Sequence, residues 1–250
     1  MGLKESGLRG SLRNVSVGID AIPDSEADEK LLHRWVLDDV NDSVEDSIGD
    51  QDGTVSNVSS IEGDFAGGAA ADGSSNAEID IGEIQNWIGD LTDGGGSIAF
   101  TVDNLTDGET QYRLLGDASG SSDAYVRLNT DEDNDNQEDG NLVFFLRDEA
   151  GDDLTVGFDN VNIADGDPHR IVINVIDPAA NDIEAYADQV DDTAIGRSDG
   201  PNDFSDISNF KLFQWGGVEN PTFEDVIDDV CIFDESLTEA EATSYNNPWD

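Results

Sequence analysis

The chain reads as an all-β protein, an antiparallel sandwich of two sheets followed by one short helix. Three observations predict this. Apolar and polar residues alternate in short runs such as "GSIAFTVDNL", "NLVFFLRDE" and "HRIVINVID", the period-two pattern of a half-buried strand. Clusters of Gly, Asp, Asn and Ser separate these runs at short intervals, as in a sandwich built from hairpins. Only one stretch carries the start and stop signals of a helix.

In chain order, the candidate strands are residues 31–37, 53–58, 77–81, 97–103, 110–116, 123–129, 141–147, 154–158, 169–176, 183–188, 208–214 and 226–233. Trp35, Phe100, Phe144, Phe158, Phe210 and Phe233 fall on strand positions and are expected in the core rather than on a ligand surface. The helix signal is "SLTEAEATSYNNP", with Ser236 as cap, Glu239 three residues on and Pro248 beyond the end. No internal repeat interrupts the pattern. Ahead of it, "AIPDSEADEK" with Pro23 reads as a linker, so residues 1–30 form an N-terminal arm and linker and residues 31–250 one domain.

Charge sets the protein's setting. The 250 residues hold 58 Asp and Glu against 11 Lys and Arg, a formal net of −47. Such self-repulsion strains a compact state at ordinary salt, whereas at molar salt the Debye length falls to about 3 Å and screens it. The composition therefore points to brine, and to a salt-loving archaeon or its virus as source. The alternating apolar runs argue against an acidic disordered segment. Nucleic acid is disfavoured as a partner, because phosphate backbones require a positive surface. Residues 1–18 invert the sign: Lys4, Arg9 and Arg13 against Glu5 give +2, so the overall −47 leaves −49 on residues 19–250. A basic arm on an acidic body suggests docking. The single cysteine, Cys231, lies among apolar neighbours in "VIDDVCIFD" and reads as a buried, unreactive thiol. No run of about 18 apolar residues offers a membrane span, and "MGLKESGLRGSLRNVSVG" lacks the apolar segment of a signal peptide.

Several blocks, in this order, resemble the laminin-G-like, concanavalin A-like jelly-roll family. "LLHRWVLDDVNDSVEDSIGDQDGTV" is similar to its opening strand and Asp-rich loop, and "GGAAADGSSNAEIDIG" to the next strand. "DPHRIVINVID" with "IEAYADQVDD" is similar to its paired central strands, and "FEDVIDDVCIFDESLTEAEATSY" to the closing strand and helix. Pro168 stands where Trp is usual, and Gln189 replaces the Gly of an Asp-Gly turn. The resemblance implies two antiparallel sheets, one of them concave, and a protein that binds glycans, proteins or calcium; a minority of the family are glycosidases. It also implies a structural calcium between Asp46, Asp50 and Asp228, a site competing with the plainer reading of surface acids suited to brine.

The stretch "EIDIGE" poses the catalytic question. Lichenase- and laminarinase-type glucanases of this fold carry Glu-x-Asp-x-x-Glu on an inner strand, which would make Glu78 nucleophile, Asp80 its support and Glu83 the acid/base. A strand puts Glu78 and Asp80 on one face, and a bulge returns Glu83 to it. Against this, the motif falls early in the chain, only Trp87 stands near it as an aromatic platform, and chance matches are common in so acidic a chain. The reading adopted is the wet side of an ordinary strand, with a glycoside hydrolase as the alternative.

Other candidates are weaker. "DEDNDNQEDG", residues 131–140, is rich in oxygen ligands but lacks the Gly and closing Glu of an EF-hand and reads as a solvated hairpin loop. His33 and His169 have no Cys/His cluster around them, which argues against zinc. Trp215, beside Gly216 and Gly217, either stacks on a sugar ring or packs beneath its loop. Asn-x-Ser/Thr sequons occur at Asn14, Asn41, Asn57 and Asn104.

The fold class works outside cells, yet no export signal is visible. A virion reconciles the two. The expectation is a non-enzymatic, surface-exposed virion component of a haloarchaeal virus, a fibre, turret or spike subunit, with an extracellular glycoside hydrolase using Glu78, Asp80 and Glu83 or a halophile cell-surface adhesion module as the alternatives. It would be a homo-oligomer, held to other virion structural proteins through residues 1–30 and contacting host surface glycan or S-layer protein.

Overall fold

The computed structural model describes residues 26–38, 40–61, 68–71, 77–83, 95–103, 112–117, 122–128, 142–158, 160–163, 165–201, 204, 207, 209–213 and 226–245. Residues 1–25 of the arm, the loop 131–140, Trp87, Trp215, Pro248 and the sequons at Asn14 and Asn104 lie outside them. Within these limits the chain forms β1 (Leu31–Trp35), β2 (Ser43–Val44), β3 (Gly53–Ser56), β4 (Val58–Ile61), β5 (Gly68–Ala71) and β6 (Glu78–Glu83). There follow β7 (Gly96–Asp103), β8 (Tyr112–Asp117), β9 (Asp123–Leu128), β10 (Leu142–Arg147), β11 (Asp153–Phe158) and β12 (His169–Asp177). The last elements are β13 (Asp182–Ala187), β14 (Val190–Asp191), β15 (Thr193–Ser198), β16 (Asn209–Leu212), β17 (Val226–Phe233) and helix α1 (Glu239–Tyr245).

The strands make two antiparallel sheets. One has eight strands in the order β14-β13-β12-β7-β17-β5-β4, with β1 also paired to β17; the other has nine, β15-β11-β10-β9-β8-β16-β6-β3-β2. This is the all-β two-sheet sandwich with a short C-terminal helix that the alternation predicts. One expected strand, 53–58, divides. Asn57 sits at φ 54°, a left-handed conformation that Asn adopts more readily than most residues, and the chain leaves the nine-stranded sheet at β3 to enter the other as β4. The short, alanine-rich β5 carries little strand propensity, which is why the alternation did not announce it. At the end of β13, Asp188 (φ 49°) and Gln189 (φ 71°) are both left-handed, so a two-residue hairpin turn forms without the usual Gly.

Between the sheets lies the main core. Trp35, Phe100, Phe144, Phe158 and Phe210 are buried, each contributing about 1.5–3 kcal/mol by transfer out of water. Trp35 bridges the sheets by stacking on Phe210 at 5.9 Å, and its indole N–H donates to the Gln51 carbonyl at 2.8 Å.

A second, smaller core lies on the far side of the eight-stranded sheet. Ala99, Val172, Cys231 and Phe233 point away from the sandwich and are covered by Leu237, Ala242 and Tyr245, with Phe233 and Tyr245 edge to face at 4.8 Å. Burial on both faces explains why β7 and nearly all of β12 and β17 show no exposed positions. The helix cap is Thr238 rather than Ser236. Its N–H and hydroxyl donate to the Glu241 carboxylate at 2.7 and 2.8 Å, and the Glu241 N–H returns a bond to Thr238 Oγ1 at 3.3 Å, a capping box. Lys30, 2.9 Å from Glu241, ties the 3-10 turn Glu26–Lys30 to the same helix. Asn174 reinforces the seal: its side chain donates to the Leu237 carbonyl and accepts from Ser97 and the Leu237 N–H. Buried Arg170 donates to Thr101, to the Asp229 carbonyl and to the Tyr245 carbonyl. Burial pushes the Cys231 thiol up to about 12, in keeping with an inert side chain.

Candidate binding face on the nine-stranded sheet

The side of the nine-stranded sheet turned away from the sandwich carries a cross-strand row. Strand registers place Thr54 opposite Asp80, Asp80 opposite Lys211, Lys211 opposite Gly116, Gly116 opposite Tyr125, Tyr125 opposite Phe145 and Phe145 opposite Thr155. Six interstrand steps of about 4.8 Å give a row about 29 Å long. Gly116 is required in it: its φ is +133°, and a Cβ there would come within 2.3 Å of the Ala124 carbonyl oxygen.

Exposure falls along the row. Thr54 is exposed, the side chains of Glu78 and Asp80 keep 34% and 38%, and Lys211 keeps 16%. Lys211 Nζ stands 3.0 Å from Glu78 Oε2 and 3.0 Å from Asp80 Oδ2. Burial disfavours its charge, but the two carboxylates outweigh burial and hold its pKa above the ordinary lysine value. At the covered end Tyr125 and Phe145 stack at 5.0 Å. The Arg147 guanidinium lies 5.0 Å from the Phe145 ring centre and bonds Asp153 through Nε at 2.6 Å and a terminal nitrogen at 3.2 Å. That bidentate pair raises the Arg147 pKa despite partial burial. The aromatic pair is therefore buried, and the polar groups of β3, β6 and β16 form the accessible half.

Glu78 and Asp80 thus share one face, with Ile79 and Ile81 buried between and beyond them. A bulge does occur at this point: β6 pairs Asp80 with Lys211 and Gly82 with Phe210, skipping Ile81. Gly82 supplies the left-handed residue (φ +79°), and its N–H donates to Asp80 Oδ1 at 2.9 Å. Glu83 stands opposite Asn209; its side chain is outside the description. Both carboxylates of the trio that are described are engaged by one ammonium group.

The calcium candidates are not gathered. Asp46 is buried and already accepts from His33 Nδ1 at 2.5 Å, from the N–H groups of Arg34, Ile48 and Gly49 through one oxygen, and from Gln51 through the other. Burial opposes ionisation of Asp46, yet these donors win and hold its carboxyl below the usual range. Asp50 is exposed. Asp228 is buried, accepts from the Leu37 and Asp229 N–H groups, and is pushed up to about 7 by burial, with Asp229 and Asp38 adding repulsion. Among the described residues no group of three His, Cys, Asp or Glu is placed to hold a metal ion.

The two histidines are each paired with acids. His33 bonds Asp46, and His169 lies between Asp188 at 2.7 Å and Asp165 at 3.0 Å. Burial works against the His169 charge, but the two carboxylates raise its pKa above the ordinary histidine value. Lys211 and the Tyr125–Phe145–Arg147 group escaped sequence reasoning, because what assembles them is register between strands far apart in the chain.

No protein-family profile matches the sequence, and no curated protein matches it. Solved structures do. The binding domain of Paraclostridial Mosquitocidal Protein 1 superposes with a TM-score of 0.68 at 15% identity over 87% of this chain and 52% of that one. Domain 4 of AbnA, a GH43 extracellular arabinanase from Geobacillus stearothermophilus, in complex with arabinotriose, gives 0.58 at 15% identity over 87% of this chain and 98% of that one. The Botulinum neurotoxin serotype D binding domain gives 0.64 at 12% identity over 87% and 50%. This chain therefore spans about half of the two toxin chains and nearly the whole arabinanase domain. At such identities the likeness establishes the fold: a β-sandwich shared with binding domains.

Proposed function

We propose that this protein is a non-enzymatic binding module whose nine-stranded sheet presents its outer face to a surface glycan. The observation that carries the reading is the transverse row, polar and accessible from Thr54 to Lys211, with the buried Tyr125–Phe145 pair closing it beyond Gly116. An extended oligosaccharide laid across the strands meets carboxylate acceptors and an ammonium donor in succession, the groups that hold sugar hydroxyls. The binding-domain neighbours, one of them solved with arabinotriose, support it.

The wider setting belongs to the same proposal. An acidic, brine-adapted body with a basic arm fits a surface-exposed virion component of a haloarchaeal virus, homo-oligomeric, anchored through residues 1–30 and facing host glycan or S-layer protein. Catalysis is disfavoured because Glu78 and Asp80 are both committed to Lys211, whereas retaining hydrolysis uses one carboxyl as a proton donor and the other as a free nucleophile.

Incubating the protein in molar KCl with immobilised host surface glycans tests the reading. Retention of the protein with no release of reducing sugar is expected. Sugar release that disappears in Glu78→Gln overturns it in favour of a glycosidase. Imaging of native particles tests the virion assignment: a symmetric multimer on the particle surface is expected, and a monomer absent from particles overturns it.

A further inference from the structure

The outer side of the eight-stranded sheet, away from the glycan face, inverts the charge ratio found elsewhere in this acidic chain. Lys211 sits between Glu78 and Asp80, Arg147 between Asp123 and Asp153, and His169 between Asp165 and Asp188. Each is one cation held by two carboxylates. Where β1, β17 and β12 meet, two cations share one carboxylate. Arg34 Nε stands 2.6 Å from Asp229 Oδ1, and a terminal nitrogen of Arg170 stands 3.4 Å from Asp229 Oδ2. Among the described residues no other carboxylate is in ion-pair contact with either guanidinium. Asp228, the preceding residue, is turned to the Leu37 and Asp229 N–H groups instead.

Register and one bulge build this cluster. Arg34 lies opposite Cys231, Cys231 opposite Ala99 and Ala99 opposite Val172, and Arg170 shares the face of Val172 two residues on. On β17, Asp228 pairs with Thr101 and Cys231 with Ala99, so the strand carries an extra residue. Asp229 there adopts φ 45°, a left-handed conformation that a non-glycine residue holds at a cost. The Arg170 side chain is only 3% exposed, and its nitrogens are engaged by the Tyr245 and Asp229 carbonyls, Thr101 Oγ1 and Cys231 Sγ. The Arg34 side chain keeps 18% exposure, and Nε is its one guanidinium nitrogen with a hydrogen bond among the described residues. Its terminal nitrogens keep their N–H donors unused.

We propose that the terminal nitrogens of Arg34, beside the Asp229–Arg170 pair, bind a small monovalent anion from solution, a chloride or a carboxylate. Two arginines and one carboxylate leave a net charge of +1, and a charge drawn out of water calls for a counter-charge. One monovalent anion brings the cluster to zero. The guanidinium fork offers it two parallel donors, a geometry that an ammonium group lacks. Arg34 belongs to β1 and is held to β17 through Asp229, so the complete site exists only when β1 has docked. Binding therefore favours the closed eight-stranded sheet by mass action.

The test follows the thermal midpoint of the full chain through rising KCl and, separately, rising potassium acetate, for the wild type, Arg34→Lys and Arg34→Gln. General screening acts alike on the wild type and the charge-matched Arg34→Lys, so the difference between them reports the site. A saturable rise in the wild type is expected, with anion affinity about tenfold or more weaker in both variants. A rise in KCl alone identifies chloride, a rise in acetate alone identifies a carboxylate, and a rise in both shows that the site accepts either. Parallel curves for all three proteins overturn the site. A wild-type rise that Arg34→Lys reproduces in full also overturns it, since charge alone would then suffice. Should neither variant fold, crystals of the wild type grown from KBr and from potassium acetate decide. Bromide or acetate at the Arg34 terminal nitrogens supports the site, and its absence from both crystals overturns it.

Discussion

The two outer faces of the sandwich are finished differently. On the eight-stranded sheet, Leu237, Ala242 and Tyr245 cover an apolar surface, and Asn174, Ser97 and Arg170 bond the covering segment to the strands. On the nine-stranded sheet, the accessible half of the outer face carries Thr54, Glu78, Asp80 and Lys211. One face is sealed by apolar packing, and the other keeps polar side chains accessible, where the proposed binding would take place. Substitutions on the first should therefore unfold the protein, and substitutions on the second should leave it folded and alter what it binds.

Removing Phe233 should break the sealed side most. Phe233→Ala deletes a fully buried ring against Tyr245, and a cost of about 3–5 kcal/mol is expected, read as a lower denaturant midpoint in molar KCl. A loss below about 1 kcal/mol would show that the helix cover contributes little.

Asp228 sharpens the same contrast through pH. Its carboxyl is raised by burial to about 7 in the folded chain from the ordinary value of 3.8, so between those values the folded state binds the extra proton. Stability is then fullest below pH 3.8 as far as this group is concerned, and declines as pH rises to about 7. Asp228→Asn, which keeps an oxygen for the Leu37 and Asp229 N–H groups, should flatten that decline and stabilise the protein at pH 8. Thermal melts of both proteins across this range, with a chelator present, check it; parallel curves would remove the linkage.

The smallest effect on stability belongs to the open face. Lys211→Met breaks two partly exposed ion pairs, expected to cost no more than about 1 kcal/mol, while glycan retention should drop clearly. Unchanged retention in a folded Lys211→Met protein would detach the row from binding.

Much of this architecture was legible in the sequence. The aromatic residues on strand positions are core residues, Cys231 is buried, and the expected strands all appear within a few residues of their bounds. What escaped detection has local causes. Asn57 turns one alternating run into two strands of different sheets, and β5 is too small-sided to advertise itself. The candidate site was half legible. "EIDIGE" drew attention to Glu78 and Asp80, but the lysine that neutralises them lies on β16, more than 130 positions away. The helix cap moved from Ser236 to Thr238 because Glu241, not Glu239, reaches back to close the box.

The pairing of β1 with β17 has a consequence for how the protein comes into being. Arg34 and Asp229, joined at 2.6 Å, are separated by 195 positions, and Trp35 lies opposite Val230. A nascent chain cannot complete its eight-stranded sheet until its closing strand has emerged from the ribosome, so Trp35 waits without its final neighbours through most of synthesis. Contacts this distant make for slow closure, and that interval is when the chain is most exposed to aggregation.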